Sequence, residues 1–217
     1  MKKEQIRAGI EEIGIIPGVR VSNPDYARYA GESLYHAGIP IAEITMTVPH
    51  ATDVISHLAK SFPSMIVGAG TVLDADTARQ CIDAGANFLT SPGLVPEVVE
   101  VALKSDVVVF PGALTPTEVI AAWKTGADFV KIFPCAPVGG PSYIRSLKIP
   151  LPQVPLIASG GVNQHSAANF IVAGVAALGI GSQLIPPEAL QRRQEEQIRE
   201  LSRRLLQIVK SARAQRT

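Results

Sequence analysis

The sequence is poor in the residue types that mark several large protein classes. Only two of its 217 residues are cysteines, Cys81 and Cys135, and they form no Cys-x-x-Cys pair. A disulfide framework is therefore excluded, and free thiols in a reducing compartment are expected. Aromatic residues make up only 5% of the chain and the net charge is +1. Without a strong field of one sign, the composition predicts neither a nucleic-acid nor a membrane partner.

Long apolar runs and metal-binding spacings are also missing. No stretch reaches the roughly 18 uniformly apolar residues that a transmembrane helix needs. The start, MKKEQIRAGIEEIGII, lacks the apolar core and cleavage site of a secretory signal, so a cytoplasmic location is predicted. The four histidines form neither His-x-His nor His-Glu-x-x-His. We therefore expect no metal centre and no cofactor.

The chain instead alternates short apolar runs with longer amphipathic segments. Nearly continuous apolar strands suit a sheet buried on both faces, and helical patterns between them imply parallel crossovers. The eight runs span residues 13–21, 41–46, 65–68, 87–90, 106–110, 129–133, 154–158 and 177–180. They predict an α/β fold, a (β/α)8 TIM barrel with a short N-terminal helix near residues 2–12, as one domain over 1–217. An open doubly wound sheet is the alternative, but its Gly-x-Gly-x-x-Gly fingerprint is absent.

Residues at the predicted helix ends support this division. Asn23 before Pro24 is typical of a helix start, and Thr115 with Glu118 forms a capping box. Glycine follows four predicted helices, as a left-handed C-cap requires; these residues are Gly38, Gly85, Gly126 and Gly174.

The sharpest candidates for chemistry are a lysine and a glutamate inside apolar strands. Lys131 lies in the sixth run and Glu43 in the second. A buried ammonium is costly, and burial favours the neutral amine that attacks a carbonyl. A nearby carboxyl group can move protons during such a reaction. The alternative is a buried Lys131–Glu43 ion pair without chemistry.

Two glycine-rich segments follow the seventh and eighth runs, where barrels of this kind commonly bind phosphate. They are Ser159-Gly160-Gly161 and Gly181-Ser182, and each precedes a predicted helix. Glycine lets backbone N–H groups approach phosphate oxygens, and the Ser182 hydroxyl adds a donor. The alternative interpretation is that these are tight turns only.

The carboxyl end of the first run carries Arg20, which is predicted to lie inside that strand. Its planar guanidinium suits a substrate carboxylate, although an ion pair between strands is an equal alternative. Thr71 after the third run and Ser91 after the fourth can hydrogen-bond substrate, although turn geometry alone is the alternative for these strand ends. Thr45 shares the strand face of Glu43, and we include it with Ser159 among the substrate-binding candidates.

Several short motifs occur in an order that resembles a known family. They are Glu43-Ile44-Thr45, Gly68-Ala69-Gly70-Thr71-Val72, Ser91-Pro92-Gly93, Pro111-Gly112, Lys131-Ile132-Phe133-Pro134, Gly160-Gly161-Val162 and Gly181-Ser182. The set resembles the 2-keto-3-deoxy-6-phosphogluconate aldolases, a group that includes 4-hydroxy-2-oxoglutarate and 2-keto-3-deoxy-6-phosphogalactonate aldolases. Each motif is weak alone, but the ordered set spans nearly the whole chain.

The resemblance implies a metal-independent, homotrimeric class I aldolase that releases pyruvate and a phosphorylated aldehyde. It implies that Lys131 forms the Schiff base and that Glu43 is the general acid and base. Thr71, Pro92 and Phe133 then surround the keto acid, and Gly160, Gly161 and Ser182 hold phosphate. Some members have arginine where this chain has Thr47, and Arg20 fits the variant with arginine on the first strand.

Two other functions remain open from the sequence. A phosphosugar isomerase or epimerase on the same barrel would use the phosphate loops without an imine. A phospho-ligand-binding barrel would keep the Lys131–Glu43 pair for structure alone. Within the aldolases, the galactonate-type and 4-hydroxy-2-oxoglutarate substrates are alternatives to the gluconate type.

Overall fold

The computed structural model describes residues 1–215 and has a parallel β-sheet at its centre. The strands run in the spatial order β5-β4-β3-β2-β1-β9-β8-β7-β6, and all neighbours are parallel. They are β1 (Ile15–Val19), β2 (Ile41–Thr45), β3 (Ile66–Gly70), β4 (Phe88–Thr90), β5 (Val108–Phe110), β6 (Gly112–Ala113), β7 (Val130–Ile132), β8 (Leu156–Ser159) and β9 (Ala177–Ile180).

The described residues form nine strands rather than the predicted eight, because the fifth run continues beyond a proline. Pro111 alone separates β5 from β6. Proline has no N–H group and so cannot donate to the ladder, but its carbonyl oxygen accepts the Lys131 N–H at 2.9 Å. Because β5 and β6 are also the two ends of the strand order, the sheet curls into a nearly closed barrel.

Helices connect the strands and cover the outside of the sheet. Every residue of β2, β3, β4, β5 and β7 is buried, as expected for strands covered on both faces. The helices are α1 (Lys3–Ile13), α2 (Pro24–His36), α3 (Ala51–Ser61), α4 (Ala75–Asp83), α5 (Pro96–Lys104), α6 (Pro116–Lys124), α7 (Gly140–Lys148), α8 (Gln164–Val172), α9 (Pro187–Gln191) and α10 (Glu195–Ala214), with a 3-10 turn at Ala136–Val138. Within residues 1–215, none of these helices has both the length and the apolar character needed to cross a membrane.

The predicted N-terminal helix is confirmed as α1, which lies at the amino ends of the strands. Lys3 Nζ is 3.0 Å from the carboxylate of Asp128, just before β7. The same Asp128 oxygen accepts the Val109 N–H at 2.9 Å and so ties β5 to the start of β7. The guanidinium of Arg7 lies 5.6 Å from the centre of the Phe129 ring. In the described residues α1 therefore covers the amino end of the barrel, and the carboxyl ends of the strands lie on the opposite side.

The predicted helix boundaries are confirmed. The Asn23 side chain accepts the Asp25 N–H at 2.7 Å, and the capping box of Thr115 and Glu118 is complete at the start of α6. The glycines predicted to end helices all have a left-handed backbone: Gly38 (φ 86°), Gly85 (φ 104°), Gly126 (φ 87°) and Gly174 (φ 107°).

Thr115→Ala will lower the free energy of unfolding by about 1 kcal/mol, because the start of α6 loses its cap. Thr117→Ala, at an exposed position of the same helix, is the matched control and should stay within about 0.5 kcal/mol of the parent. Urea unfolding followed by circular dichroism measures both. Equal stability of the two variants would contradict the capping role.

Candidate active site

One cavity opens at the carboxyl ends of the strands and has a volume of about 670 Å³. All twelve residues selected from the sequence line it: Arg20, Glu43, Thr45, Thr71, Pro92, Lys131, Phe133, Ser159, Gly160, Gly161, Gly181 and Ser182. They come from seven different strands or the loops after them. The fold thus brings residues that are distant in the chain around one space large enough for a small phosphorylated ligand.

Lys131 and Glu43 face each other in the inner part of the cavity. Lys131 Nζ is 3.8 Å from Glu43 Oε2, and the two side chains are only 11% and 9% exposed. Lys131 Nζ also lies 5.6 Å from the centre of the Phe133 ring, and Phe133 is on the same face as Lys131. At 3.8 Å the pair is close enough for electrostatic attraction but too long for a good hydrogen bond. The cavity therefore contains a lysine and a carboxylate that remain accessible to a ligand beside them.

Room for the Glu43 side chain comes from a glycine on the next strand. Gly70 ends β3, and a Cβ atom added there would overlap the carboxyl group of Glu43. The backbone of Gly70 does not have a positive φ, so its lack of a side chain serves space rather than conformation. Gly70 belongs to the Gly68-Ala69-Gly70-Thr71-Val72 motif, but its contact with Glu43 could not be inferred from the sequence.

Thr45 lies in the cavity wall, where its hydroxyl group is already bonded. Its Oγ1 donates to the Val19 carbonyl at 3.1 Å and is 2.9 Å from Thr47 Oγ1. Since Thr45 has one hydroxyl proton, Thr47 must be the donor in the second bond. The pair joins the ends of β1 and β2 directly before Arg20.

The prediction that Arg20 lies inside the first strand is wrong. β1 ends at Val19, the last residue that pairs with β2, and Arg20 is exposed in the following loop. It still lines the cavity, and none of the ion pairs within residues 1–215 involves it. The alternative of an inter-strand ion pair is therefore not supported, and the guanidinium is available to a ligand.

The two glycine segments surround the opposite side of the cavity from Pro92 and Thr71. Gly160 and Gly161 both have φ 85°. Among the described residues, the backbone N–H groups of Gly160, Gly161 and Ser182 have no hydrogen-bond acceptor. Three donors without partners at the rim of a cavity are what an anion such as phosphate requires.

The helices after these segments offer fewer free N–H donors to an anion than predicted. Asn163 Oδ1 already accepts the His165 and Ser166 N–H groups in the first turn of α8. The helix after β9 is α9, which has only five residues and begins at Pro187. The donors available to an anion are therefore those of the glycine loops themselves.

Several residues in the cavity wall were not selected from the sequence. The glycine before Val19 and the loop residues after each glycine segment belong to this group: Gly18, Val162, Asn163, Gln183 and Ile185. The loop residues follow predicted site residues directly and were accessible to the same reasoning. Gly18 has no side chain, so only the folded structure shows that it lines the cavity.

The cysteine thiols are outside the cavity. Cys81 and Cys135 are free and buried, and burial raises the pKa of each thiol to about 11. Within residues 1–215, no three His, Cys, Asp or Glu side chains are grouped as a metal ion would require.

Both thiols will react slowly with Ellman's reagent in the folded protein. A pKa of about 11 rather than 9.0 leaves about 100-fold less thiolate near neutral pH, and burial also blocks access. Release of thionitrobenzoate should be at least about 100-fold faster after unfolding in guanidinium chloride. Rapid reaction of either cysteine without denaturant would contradict their placement in the core.

A comparison with protein families identifies the class of this site. The KDPG and KHG aldolase family model matches residues 6–201. The chain belongs to the KDPG and KHG aldolase family. The prediction of an aldolase, a carbon–carbon lyase, is thereby confirmed over the isomerase and the non-enzymatic binding barrel.

The sequences of individual relatives align over most of this aldolase. The chain is 30% identical over 207 residues to 2-dehydro-3-deoxy-phosphogluconate aldolase of Pseudomonas aeruginosa, covering 95% of this chain and 94% of that one. It is 33% identical over 177 residues to a probable 2-dehydro-3-deoxy-6-phosphogalactonate aldolase of Rhizobium meliloti, covering 81% and 82%.

A solved structure with a trapped intermediate has the same fold. KDPG aldolase from Legionella pneumophila, with pyruvate captured at low pH as a covalent carbinolamine intermediate, superimposes with a TM-score of 0.83. The identity is 29%, and the match covers 91% of this chain and 96% of that one.

Proposed function

We propose that this aldolase cleaves a 2-keto-3-deoxy-6-phospho sugar acid of the 6-phosphogluconate type to pyruvate and glyceraldehyde 3-phosphate through a Schiff base on Lys131. The observation that carries the proposal is the buried amine of Lys131, 3.8 Å from Glu43 at the inner end of the cavity. A carbinolamine such as the one in the Legionella pneumophila structure requires a protein amine. Lys131 is the one lysine that lines the cavity within the described residues.

The reaction begins when the neutral amine of Lys131 attacks the C2 ketone. Loss of water from the carbinolamine gives an iminium ion, which is an electron sink. The C4 hydroxyl group then loses its proton, the C3–C4 bond breaks, and its electron pair passes to the iminium as an enamine. The aldehyde leaves, C3 is protonated, and hydrolysis of the iminium releases pyruvate and restores Lys131.

Glu43 carries the proton transfers in this scheme. It is the one carboxyl group that lines the cavity among residues 1–215, and it lies beside the amine that gains and loses protons. General acid–base catalysis of this kind contributes about 10²- to 10⁴-fold. Because Glu43 Oε2 is 3.8 Å from Lys131 Nζ, the carboxylate can reach the amine by a small side-chain movement or through a water molecule beside the pair.

Two groups in the cavity wall suit the two charged groups of the substrate. Arg20, which has no carboxylate partner among the described residues, binds the C1 carboxylate. The N–H groups of Gly160, Gly161 and Ser182 bind the phosphate, with Gly181 allowing close approach. Thr71, Pro92, Phe133, Thr45 and Ser159 form the walls against which the keto acid lies.

The galactonate-type sugar acid is a second candidate substrate. It differs from the gluconate type in configuration at C4, and the probable phosphogalactonate aldolase of Rhizobium meliloti is 33% identical to this chain. Thr47 stands where some family members have arginine, and Arg20 replaces that charge from the loop after β1. The five-carbon compound 4-hydroxy-2-oxoglutarate is a third candidate substrate.

We also propose a strand number, an oligomeric state and a cellular location. Counting β5 and β6 as one strand interrupted by Pro111 gives the eight strands of a (β/α)8 barrel in a single domain. We expect a cytoplasmic homotrimer that requires no cofactor, with small molecules as its ligands. Light scattering on the purified protein measures the oligomeric state.

Two measurements test the proposed function. The protein is incubated with pyruvate and sodium borohydride and analysed by intact mass and peptide mapping, and a pyruvyl adduct on Lys131 is expected. Cleavage of each C4 epimer is then followed by coupling pyruvate release to lactate dehydrogenase. A folded protein that forms no adduct and cleaves neither epimer would overturn the proposal.

A further inference from the structure

A glycine on β1, Gly18, lies in the cavity wall between Glu43 on β2 and the candidate phosphate-binding residues after β9. Gly18 pairs with Glu43 across the parallel strands β1 and β2, so both residues face the cavity. On its other side, its carbonyl oxygen is 3.6 Å from where a Cβ atom of Gly181 would be. Gly18 thus forms the inner wall along the line from Glu43 to the end of β9.

Neither backbone conformation nor packing requires glycine at this position. Gly18 is not among the glycines with positive φ. A Cβ atom added to it would meet nothing closer than the Ile180 carbonyl oxygen at 4.0 Å. By contrast, a Cβ atom at Gly179 on the neighbouring strand would lie 2.7 Å from Ser159 Oγ, so glycine is needed there for packing.

Glycine inside a strand lowers stability relative to alanine, because it loses more conformational freedom on folding. At Gly18 no structural gain in the described residues offsets that loss. The space left by the missing side chain opens into the cavity rather than into the core. The remaining explanation is that a ligand uses this space.

We propose that Gly18 is a specificity-determining residue whose missing side chain makes room for the aldehyde half of the substrate, from C4 to the phosphate. This inference rests on the proposed function, because the imine on Lys131 and the phosphate at the glycine loops define the two ends of the substrate. C1 to C3 lie beside Lys131 and Glu43. C4 to C6 bridge to Gly160, Gly161 and Ser182, along the wall that Gly18 forms.

The consequence is a separation between two partial reactions. Exchange of the pyruvate methyl protons for deuterium needs only the imine, the enamine and the proton donor, and no group beyond C3. Cleavage of the phosphorylated sugar acid needs the aldehyde half as well. A methyl group at position 18 should therefore impair cleavage far more than exchange.

The experiment compares Gly18→Ala with Gly93→Ala, a glycine at which an added Cβ atom would meet nothing within 4 Å and which does not line the cavity. Deuterium exchange into pyruvate is followed by proton NMR, and kcat/KM and KM for cleavage by the lactate dehydrogenase assay. For Gly18→Ala, we expect the ratio of cleavage to exchange to fall roughly ten-fold or more, mainly through KM. Gly93→Ala should leave the ratio unchanged.

The outcomes are distinguishable. If Gly18→Ala lowers cleavage and exchange equally, or changes neither, the assignment of this space to the aldehyde half is wrong. A melting temperature below that of the parent would also overturn it, since packing would then require glycine at position 18. A parent enzyme that performs neither exchange nor cleavage would instead refute the proposed function itself.

Discussion

Lys131→Met will abolish the borohydride-trapped pyruvyl adduct and lower kcat for aldol cleavage by roughly 10⁴-fold or more, the scale seen when a covalent nucleophile is removed. Methionine keeps a similar length and apolar volume but cannot form an imine. Lys131 is buried beside Glu43, and no other lysine lines the described cavity and could take its place. The adduct is measured by peptide mapping and the rate by coupled pyruvate release.

A matched control separates loss of the nucleophile from loss of a positive charge. Lys124 is exposed at the end of α6, away from the cavity, and Lys124→Met should retain full trapping and turnover. An adduct that persists in Lys131→Met on another lysine would refute the assignment of the nucleophile.

Removal of Lys131 also leaves Glu43 buried without its charge partner, which is destabilising for buried pairs by about 3–5 kcal/mol. The double variant Lys131→Met with Glu43→Gln removes both charges and should recover part of that stability. If both variants are folded and inactive, the loss of activity belongs to the chemistry rather than to unfolding. Circular dichroism melting curves of both provide this comparison.

The strand pattern and the helix caps could be predicted because they depend on neighbouring residues. Apolar runs, the Asn23 cap and the Thr115–Glu118 capping box follow from local hydrogen bonding and from the burial of both sheet faces. The split of the fifth strand was missed, although Pro111 was visible, because its carbonyl group still serves β7. A sequence shows that proline cannot donate but not whether the ladder continues past it.

The residues that line the cavity could be predicted by type, whereas the space around them could not. A lysine or a glutamate in an apolar strand is conspicuous, and both lie at the cavity as the alternation of the strands indicated. The end of β1 was misjudged because Val21 continues the apolar pattern beyond Arg20, although neither residue pairs with β2. Gly18 and Gly70 depend on which atoms approach from other strands, and this information exists only in the fold.

Gly70→Ala will lower kcat for cleavage by about 100-fold or more while the protein remains folded. The added Cβ atom would overlap the Glu43 carboxyl group, which is the far end of a flexible side chain and can turn away. The backbone of β3 accepts alanine because Gly70 does not have a positive φ. The substitution is therefore expected to displace Glu43 relative to Lys131. Misplacing a general acid–base group lowers the rate by about 10²- to 10⁴-fold.

Gly93→Ala is again the matched control, since it adds the same atom where none lies within 4 Å. Deuterium exchange into pyruvate should fall in parallel with cleavage in Gly70→Ala, because both reactions need the proton that Glu43 carries in the proposed mechanism. This pattern is opposite to that expected for Gly18→Ala, in which cleavage falls more than exchange. Full exchange activity in Gly70→Ala would mean that the proton reaches C3 from a group other than Glu43, and the assignment of the general acid–base residue would then have to move.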